Sequence, residues 1–455
     1  MTHNLRGYAT DIPYLRDFKP MLAPAWLDHV ALVGGVAPPA RQNGFAWCDL
    51  GCGHGVTGVI LAATHPAGIF HGIDALPAHI DHARRLGAEA AIPNARFHCL
   101  DFAAAAGLDL PQFDYIVAHG VYSWVDRETQ SALRAFIDGR LKPGGLVYIS
   151  YNAMPGWTRD LPFQRLVREL GQTFPGDTAQ RFSAAADIAR ALAELRVPAL
   201  AASYTLDELK NRPQDYAPAY LVHEFMPPAW QPLYVTEVRG AMLAIGLEPV
   251  GSATLSENFD RMVLSEAARA VLATIADANA REMIRDFCLD QRFRCDVFAR
   301  GNPSLHPDER TDRLLSSTFA LARPVCSIRY TMPTPAGPLS YDEPVTRTII
   351  EALAAGPRTF SEANNATEVS GALMTLCATG DIIPVEPGSA DVGNLNRLLS
   401  ARVGRPDEIR WLALPCGTAL EVDRELMARV RDGEKIDNTK FPGWRQLLAA
   451  HAAYP

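Results

Sequence analysis

The chain has 455 residues, which is long for one hydrophobic core, so we expect two or three domains. It is 48% hydrophobic and 21% charged, and no apolar run reaches the ~18 residues of a membrane-spanning helix. Its net charge of −8 argues against a general nucleic-acid-binding protein. The N-terminus lacks an apolar signal segment, and the eight cysteines form no C-x-x-C pair. Reduced thiols and a cytoplasmic location are therefore expected.

Short apolar runs alternate with helical patterns between residues 45 and 151. The predicted strands cover 45–50, 68–74, 95–101, 113–119 and 145–151, and the predicted helices lie near 56–64, 77–91 and 127–140. This alternation predicts an α/β fold with a parallel, doubly wound, Rossmann-like sheet, whose ligands bind beyond the carboxyl ends of the strands. The residues at these strand ends are candidates for a site: Asp49, Asp74, Asp101, His119 and Tyr151.

The pattern changes after Trp157. Two amphipathic helices and a proline-rich stretch predict a helical insertion, 158–226, that covers the substrate pocket. The chain then returns to the sheet through a helix near 229–245, a strand in GLEPVGSA, a helical region at 264–292 and a strand at 294–300. The first domain would comprise 1–157 and 227–300.

A linker-like Gly301-Asn-Pro segment begins the predicted C-terminal accessory domain, 301–455. Within it, 344–386 has the order helix, short helix (SEANNA), helix, strand, which suggests a winged-helix-like α+β module.

The glycine-rich loop DLGCGHGVTG, which begins at Asp49, fits two classes of cofactor. Gly53, Gly55 and Gly58 match the dinucleotide pattern G-x-G-x-x-G. Asp49, Gly51, Gly53 and Gly55 match a loop that binds S-adenosylmethionine (SAM) equally well. A helix N-terminus attracts an anion such as pyrophosphate, so a carboxylate beside it favours the cationic SAM instead. SAM is the predicted cofactor, with NAD as the alternative.

Other strand ends would complete the cofactor site. Asp74 can accept both ribose hydroxyls, a feature shared with NAD enzymes. Asp101 can accept the adenine amino group while Phe102 packs on the base. A tyrosine of the leading segment can reach the carboxylate of SAM, or can pack on the first helix instead. The predicted cofactor-binding residues are Tyr8, Tyr14, Asp49, Gly51, Gly53, Asp74, Ala75, Asp101, Phe102 and His119.

These motifs, taken in order, resemble the class I SAM-dependent methyltransferases over 45–151. Longer strings resemble bacterial methyltransferases that carry a methyltransferase regulatory domain, some of which are outer-membrane-protein lysine methyltransferases. The strings are FDYIVAHGVYSWV, YISYNAMPGW, YLVHEFM, MIRDFCLDQRFRCDVFARG and LSARVGRPDEIRWLALPCGTAL. The resemblance spans most of the chain and implies a SAM-binding fold, a helical insertion and a C-terminal accessory domain. Phe225 and Met226 depart conservatively from the family's Tyr-Leu.

Methyl transfer is an in-line displacement, for which an enzyme positions the acceptor, excludes water and removes a proton; it needs no metal, and none is predicted. The acceptor motif Asn/Asp-Pro-Pro-Tyr/Phe of many amine and nucleobase methyltransferases is absent, which argues against a nucleobase acceptor. His119, with an unperturbed pKa of ~6.5, could act as a base or could only order its loop. Tyr122 and Trp124 could form an aromatic wall for a cation, or could pack against the insertion.

Tyr151, Asn152 and Trp157 lie just past the fifth predicted strand, where a substrate would enter. The side-chain carbonyl of Asn152 could orient an acceptor amine, or the segment could be a structural turn. His223 and Glu224 could close over the pocket together, although adjacent helical residues do not share a face. The predicted catalytic residues are His119, Tyr122, Trp124, Tyr151, Asn152 and His223.

Three functions remain open from the sequence. The first is a SAM-dependent protein methyltransferase, with lysine as the expected acceptor. The second is a small-molecule N- or O-methyltransferase. The third, a SAM-sensing DNA-binding regulator, is disfavoured because the candidate recognition helix, 367–379, contains no Lys or Arg for phosphate contacts. The C-terminal module is expected to pack on the catalytic domain or to bind a protein.

Overall fold

The computed structural model describes residues 15–41, 44–212, 217–388 and 390–451. A seven-stranded sheet forms its centre, with the strand order β3-β2-β1-β4-β5-β7-β6. The strands are β1 (Phe45–Leu50), β2 (Gly68–Asp74), β3 (Ala95–Cys99), β4 (Phe113–Ala118), β5 (Leu141–Asn152), β6 (Glu248–Ser252) and β7 (Phe293–Ala299). The first five strands are parallel, and β7 runs antiparallel to both β5 and β6. The predicted Rossmann-like fold is confirmed.

Helices cover both faces of this sheet. They are α1 (Pro24–Val33), α2 (Val56–Thr64), α3 (Pro77–Glu89), α4 (Phe102–Ala105) and α5 (Arg127–Arg140). Every residue of β1 and β4 is buried, as expected for central strands of a parallel sheet. Each βα connection therefore emerges at the carboxyl edge, where the glycine-rich loop and the loop after β4 lie side by side.

Four helices are present in the described part of 158–226, which follows β5. They are α6 (Leu161–Gly171), α7 (Thr178–Glu194), α8 (Tyr204–Asn211) and α9 (Pro218–Phe225). They enclose an apolar cluster of their own, which includes Trp157, Phe163 and Phe225. Asp177 caps α7 through a capping box with Gln180, as its sequence position predicts.

Arg292, just before β7, fastens these helices to the sheet. Its guanidinium forms an ion pair with the fully buried Asp160 at 2.6 Å. It also lies 4.4 Å from the ring centre of Trp157 and 4.8 Å from that of Tyr204. One side chain thus joins the beginning of the helical segment, its third helix and the edge of the sheet.

The chain then returns to the sheet through shorter helices than expected. They are α10 (Val235–Leu243), α11 (Asp260–Val263), α12 (Glu266–Ala273) and α13 (Ala278–Leu289). The helical region predicted at 264–292 is therefore interrupted, because Asp277 caps a new helix within it. Likewise β3 ends at Cys99, before the predicted end at 101, because Asp101 caps α4.

The C-terminal region is α+β with three small two-stranded sheets. Its elements are α14 (Pro307–Ser316), β8 (Thr318–Leu321), β9 (Thr331–Met332), β10 (Leu339–Ser340), α15 (Pro344–Leu353), α16 (Ala366–Thr379), β11 (Ile382–Val385), α17 (Gly393–Ser400), β12 (Trp411–Leu414), β13 (Thr418–Glu421), α18 (Arg424–Asp432) and α19 (Trp444–Ala450). The short helix predicted at SEANNA is a turn. β11 pairs with β8, which precedes both helices of the predicted module.

This region shares one continuous apolar cluster with the seven-stranded sheet. Leu27 and Val30 of α1 belong to the same cluster as Leu315, Phe319 and Leu412. The expectation that the C-terminal module packs on the catalytic domain is met. Within the described ranges, no helix combines the length and apolar character that crossing a bilayer would require.

Candidate functional site

The glycine-rich loop joins β1 to α2 and is built from left-handed backbone. Gly51, Gly53 and Gly55 all have positive φ, at 85°, 51° and 72°. A Cβ on Gly51 would lie 2.3 Å from Val121 Cγ2, so the loop after β4 requires a glycine here. A Cβ on Gly53 would meet no atom within 4 Å, and its N–H donates to Asp74 Oδ2 at 2.9 Å. The loop is thus tightly packed at Gly51 and open at Gly53.

Asp49 and Asp74 place two carboxylates beside this loop. Asp49 is buried, and its Oδ1 has no hydrogen-bond partner among the described residues. Burial, aided by the charge of Asp74, raises the pKa of Asp49 to about 8. A buried carboxylate oxygen without a partner suits a cationic ligand, so the loop fits SAM better than it fits a pyrophosphate. Asp74 is already bonded to protein, through Gly53 and, at 2.8 Å, the N–H of Leu76.

The remaining predicted cofactor residues lie at the same edge or outside the described residues. Asp101 is exposed, and its Oδ1 accepts from the N3 backbone N–H of α4 at 2.7 Å. Phe102 is buried in the cluster beneath α4 and α5. Ala75 directly follows β2 and is half-buried. Tyr8 and Tyr14 lie outside the described residues.

His119 follows β4 and packs against β5. Its Nδ1 lies 2.8 Å from the Tyr148 hydroxyl and 3.3 Å from Ser150 Oγ. Burial is the main cause that lowers the pKa of His119 to about 3, with a smaller contribution from Lys19. The imidazole is therefore neutral near pH 7 and, at this pKa, a weaker base than a free histidine. A role for His119 as a base stays a prediction. This geometry matches the alternative of a histidine that orders its loop.

Tyr122 and Tyr151 belong to the core rather than to an entrance. The Tyr122 hydroxyl accepts a hydrogen bond from Arg134 Nη1 of α5 at 2.7 Å. Tyr151 is fully buried, and its hydroxyl donates to Asp296 Oδ2 at 2.7 Å. Both rings pack in one apolar cluster. Their burial is tolerated because each hydroxyl has a hydrogen-bond partner. Both hydroxyls are thus bound by protein partners, and a role of either residue in the reaction stays a prediction. Trp124 is half-buried against the cluster of the inserted helices.

Asn152, the last residue of β5, meets an inserted helix. Its backbone N–H donates to Ser123 Oγ at 2.9 Å, and its Nδ2 donates to Glu224 Oε1 of α9. Trp230 Nε1 donates to the same oxygen at 3.1 Å. Glu224 is 4% exposed, and burial raises its pKa to about 7, against the opposing effect of these two hydrogen bonds. Glu224 was not among the predicted catalytic residues; the signal for it was a charged pair inside the apolar string YLVHEFM.

His223 is also buried, and its charge contributes weakly to the pKa of His54. Burial, followed by the charge of His79 and then by weaker effects that include His223, lowers the pKa of His54 to about 2. His54 lies in the glycine-rich loop. Glu224, the next residue of α9, contacts Asn152, and adjacent residues of a helix point in different directions. Within the described part of the chain, no group of three His, Cys, Asp or Glu side chains could hold a metal ion.

Comparisons with known proteins agree with this geometry. A family model described as a methyltransferase domain matches residues 48–147, and one described as a predicted methyltransferase regulatory domain matches 217–300. An uncharacterized protein of Synechocystis is 31% identical over 463 residues, which cover 98% of this chain and 91% of that protein. An uncharacterized protein of Rickettsia prowazekii is 34% identical over 151 residues, which cover 32% of this chain and 56% of the relative.

Among solved structures, PKMT2 from Rickettsia typhi in complex with AdoHcy matches with a TM-score of 0.70. The sequences are 18% identical, and the match covers 97% of this chain and 92% of PKMT2. Together with the carboxylate beside the glycine-rich loop, these findings establish an enzyme that uses S-adenosylmethionine as its cofactor. The chain belongs to the family of SAM-dependent methyltransferases that carry a predicted methyltransferase regulatory domain.

Proposed function

We propose that this methyltransferase modifies the side-chain amine of lysine in a protein substrate. The observation that carries the proposal is the buried pair of Asn152 and Glu224 at the carboxyl end of β5. A lysine ammonium is a cation with three donors and no acceptor. The Glu224 carboxylate and the Asn152 carbonyl are acceptors, and neither group would attract an anionic acceptor molecule.

The indole of Trp230 contacts one of these two acceptors and supports the same choice. The indole of Trp230 is bonded to Glu224 and packs edge-to-face against Trp157, with 4.9 Å between ring centres. Trp124 packs against the same cluster of inserted helices. Indole faces attract cations and also exclude water from a reacting amine. An ammonium group would therefore be held by charge and hydrogen bonds beside the Trp230 indole.

The cofactor supplies a methyl group bonded to a positively charged sulfur, which is a good leaving group. The protein would hold it through Asp49, Gly51 and Gly53, with Asp74 fixing the shape of the loop. The insertion, 158–226, would cover the pocket. Residues 301–455 would form the accessory domain, to which the protein substrate or a regulator would bind. A protein acceptor is also supported by the sequence strings that resemble a family with outer-membrane-protein lysine methyltransferases among its members, and the fold is like that of PKMT2 from Rickettsia typhi.

Methylation of a small amine is the second candidate. Asn152 and Glu224 are only 3% and 4% exposed. This degree of enclosure favours a small molecule unless the inserted helices move aside for a protein side chain.

Labelling distinguishes the two candidates. The purified chain would be incubated with methyl-labelled SAM and either a bacterial envelope protein extract or a protein-free metabolite extract. Acid hydrolysis of labelled protein should release methylated lysine. An Asp49→Asn variant, impaired in cofactor binding, serves as the negative control. Label that appears only in small molecules would contradict the protein acceptor and favour the second candidate.

A further inference from the structure

The Glu224 side chain holds an unusual position for a carboxylate. It lies on α9, yet its Oε1 receives hydrogen bonds from Asn152 of β5 and from Trp230 in the segment after α9. Both donors form their hydrogen bonds with the same oxygen. Within the described residues, Oε2 receives no hydrogen bond from the protein. One oxygen is therefore fixed in place while the other can bind a donor from a ligand.

The charges around Glu224 do not neutralise it. Three groups face it from the elements packed against it: Asn152, Trp230 and, just before β7, Arg292. Only Arg292 is charged, and its guanidinium already forms an ion pair with Asp160 at 2.6 Å. Burial consequently dominates and raises the pKa of Glu224 to about 7, so both protonation states are populated near neutral pH.

The other candidate base of the site is much weaker. His119 is held by Tyr148 and Ser150, and burial lowers its pKa to about 3. An imidazole with so low a pKa accepts a proton from an ammonium poorly. Of these two groups, Glu224, near the carboxyl end of β5, has the proton affinity that suits a proton transfer at neutral pH.

We infer that Glu224 is the catalytic residue that accepts a proton from the ammonium group of the substrate, with Asn152 as the residue that positions its carboxylate. The inference rests on the proposed amine acceptor. A lysine reaches the enzyme as an ammonium, since its unperturbed pKa is ~10.4, and in that form it has no lone pair for the methyl group. One N–H bond breaks, its proton forms an O–H bond on Glu224, and the electron pair stays on nitrogen.

Burial lowers the free-energy cost of this proton transfer. In water the transfer from an ammonium to a carboxylate is uphill, and low-dielectric surroundings narrow the difference because they destabilise the ion pair more than the neutral amine and neutral acid. The same surroundings exclude water, which would otherwise reprotonate the amine. The inserted helices would therefore enclose the pocket and also set the proton affinity of its base.

Glu224→Gln is the variant that tests the inference. Its side-chain oxygen can still accept from both Asn152 and Trp230, while the group that exchanges a proton is lost. Glu194→Gln, on the exposed side of α7, is the matched control. The first measurement is difference infrared titration of carboxyl groups in wild type and both variants, with AdoHcy bound. The probe is n-butylamine, which carries the amine of a lysine side chain.

Wild type and Glu194→Gln should show a carboxyl group that titrates near pH 7, and n-butylamine should move its midpoint to lower pH, because a bound cation stabilises the carboxylate. Glu224→Gln should lack this titration. Asp49 and Asp286 also titrate in the neutral range and do so in all three proteins. A titration that responds to n-butylamine and persists in Glu224→Gln, or the lack of any such response in wild type, would overturn the inference.

The second measurement is the rate of methyl transfer to lysine in a single turnover across pH. Glu224→Gln should be slower by ~10²-fold or more at pH 7, with unchanged affinity for SAM by calorimetry. Its deficit should narrow as the pH approaches the lysine pKa of ~10.4, because free amine then forms without a base. An unchanged rate and pH profile in the variant would contradict the role. If wild type methylates no lysine, the proposed function fails, and the infrared response to n-butylamine alone decides the role of Glu224.

Discussion

Asp49 and Asp74 lie on neighbouring parallel strands, but only Asp74 has its carboxylate occupied by the protein. Asp74 accepts from the backbone N–H groups of Gly53 and Leu76 at 2.9 and 2.8 Å. Asp49 Oδ1 is buried without a hydrogen-bond partner among the described residues. The Asp74 carboxylate thus fixes the shape of the glycine-rich loop, while the Asp49 carboxylate is available to a cationic ligand. Their proximity also raises the pKa of Asp49, second to the effect of burial.

Replacing Asp49 should separate stability from binding. The pKa of Asp49 is about 8 in the folded chain, compared with ~3.9 in an unfolded one. Between these values the unfolded state holds fewer protons, so the free energy of unfolding falls as pH rises through this window. Asparagine does not titrate, so Asp49→Asn lacks this decrease in the free energy of unfolding. The cofactor-free variant should therefore gain melting temperature over wild type at pH 8 and gain little at pH 4, as scanning calorimetry would show.

The same variant should bind SAM more weakly, because its buried amide cannot balance a cation. Titration calorimetry with SAM and with AdoHcy measures the loss, which should be larger for the charged SAM. Asp109→Asn, at an exposed position, is the control for both experiments. Unchanged SAM affinity in Asp49→Asn would contradict the role assigned to this carboxylate.

Alanine at the two loop glycines should have opposite consequences. Gly51→Ala should destabilise the fold, because its Cβ would lie 2.3 Å from Val121 Cγ2. Gly53→Ala meets no atom within 4 Å, so only its left-handed backbone costs stability, by ~1–2 kcal/mol. Its methyl group would instead occupy the open side of the loop and should lower SAM affinity. Urea denaturation and calorimetry of both variants check this, and equal stability losses would count against the difference in packing.

Tyr151→Phe tests the placement of this tyrosine in the core. The change removes the donor to Asp296 Oδ2, which Arg294 also binds. We expect a stability loss of ~1 kcal/mol, typical of one buried hydrogen bond, with unchanged SAM affinity and methyl-transfer rate. Tyr204→Phe, at a half-exposed ring, should cost less. A large loss of methyl-transfer rate in Tyr151→Phe without a loss of stability would show that the Tyr151 hydroxyl takes part in the reaction.

The sequence predicts the parts of this protein that depend on local pattern. The strand ends, the glycine-rich loop and the position of Asp49 follow from periodicity and from the edge at which parallel strands end. The side chains that meet across the pocket depend on tertiary contacts instead. Glu224 reaches Asn152 from 72 positions further along the chain, and no spacing rule predicts that pairing.

Burial explains the other differences between sequence and structure. His119 has a typical pKa in isolation, and burial in the folded chain lowers this pKa to about 3. Tyr151 ends a strand at the correct edge of the sheet. Its ring nevertheless turns into the core, because Asp296 on β7 offers a partner there. Strand position predicts where a residue lies, but not which way its side chain points.

Removing the Asn152 donor should change the proton affinity of Glu224 in a defined direction. The hydrogen bond from Asn152 lowers the pKa of Glu224, which burial has raised to about 7. Asn152→Ala should therefore move this pKa upward. The hydrogen bond from Asn152 stabilises the charged carboxylate more than the neutral acid, so its loss favours the acid. The rise of the single-turnover rate with pH should shift to higher pH in the same variant. Trp230→Phe removes the second donor to the same oxygen and should shift both measurements in the same direction. A shift to lower pH in either variant would mean that these donors do not stabilise the charged form of Glu224.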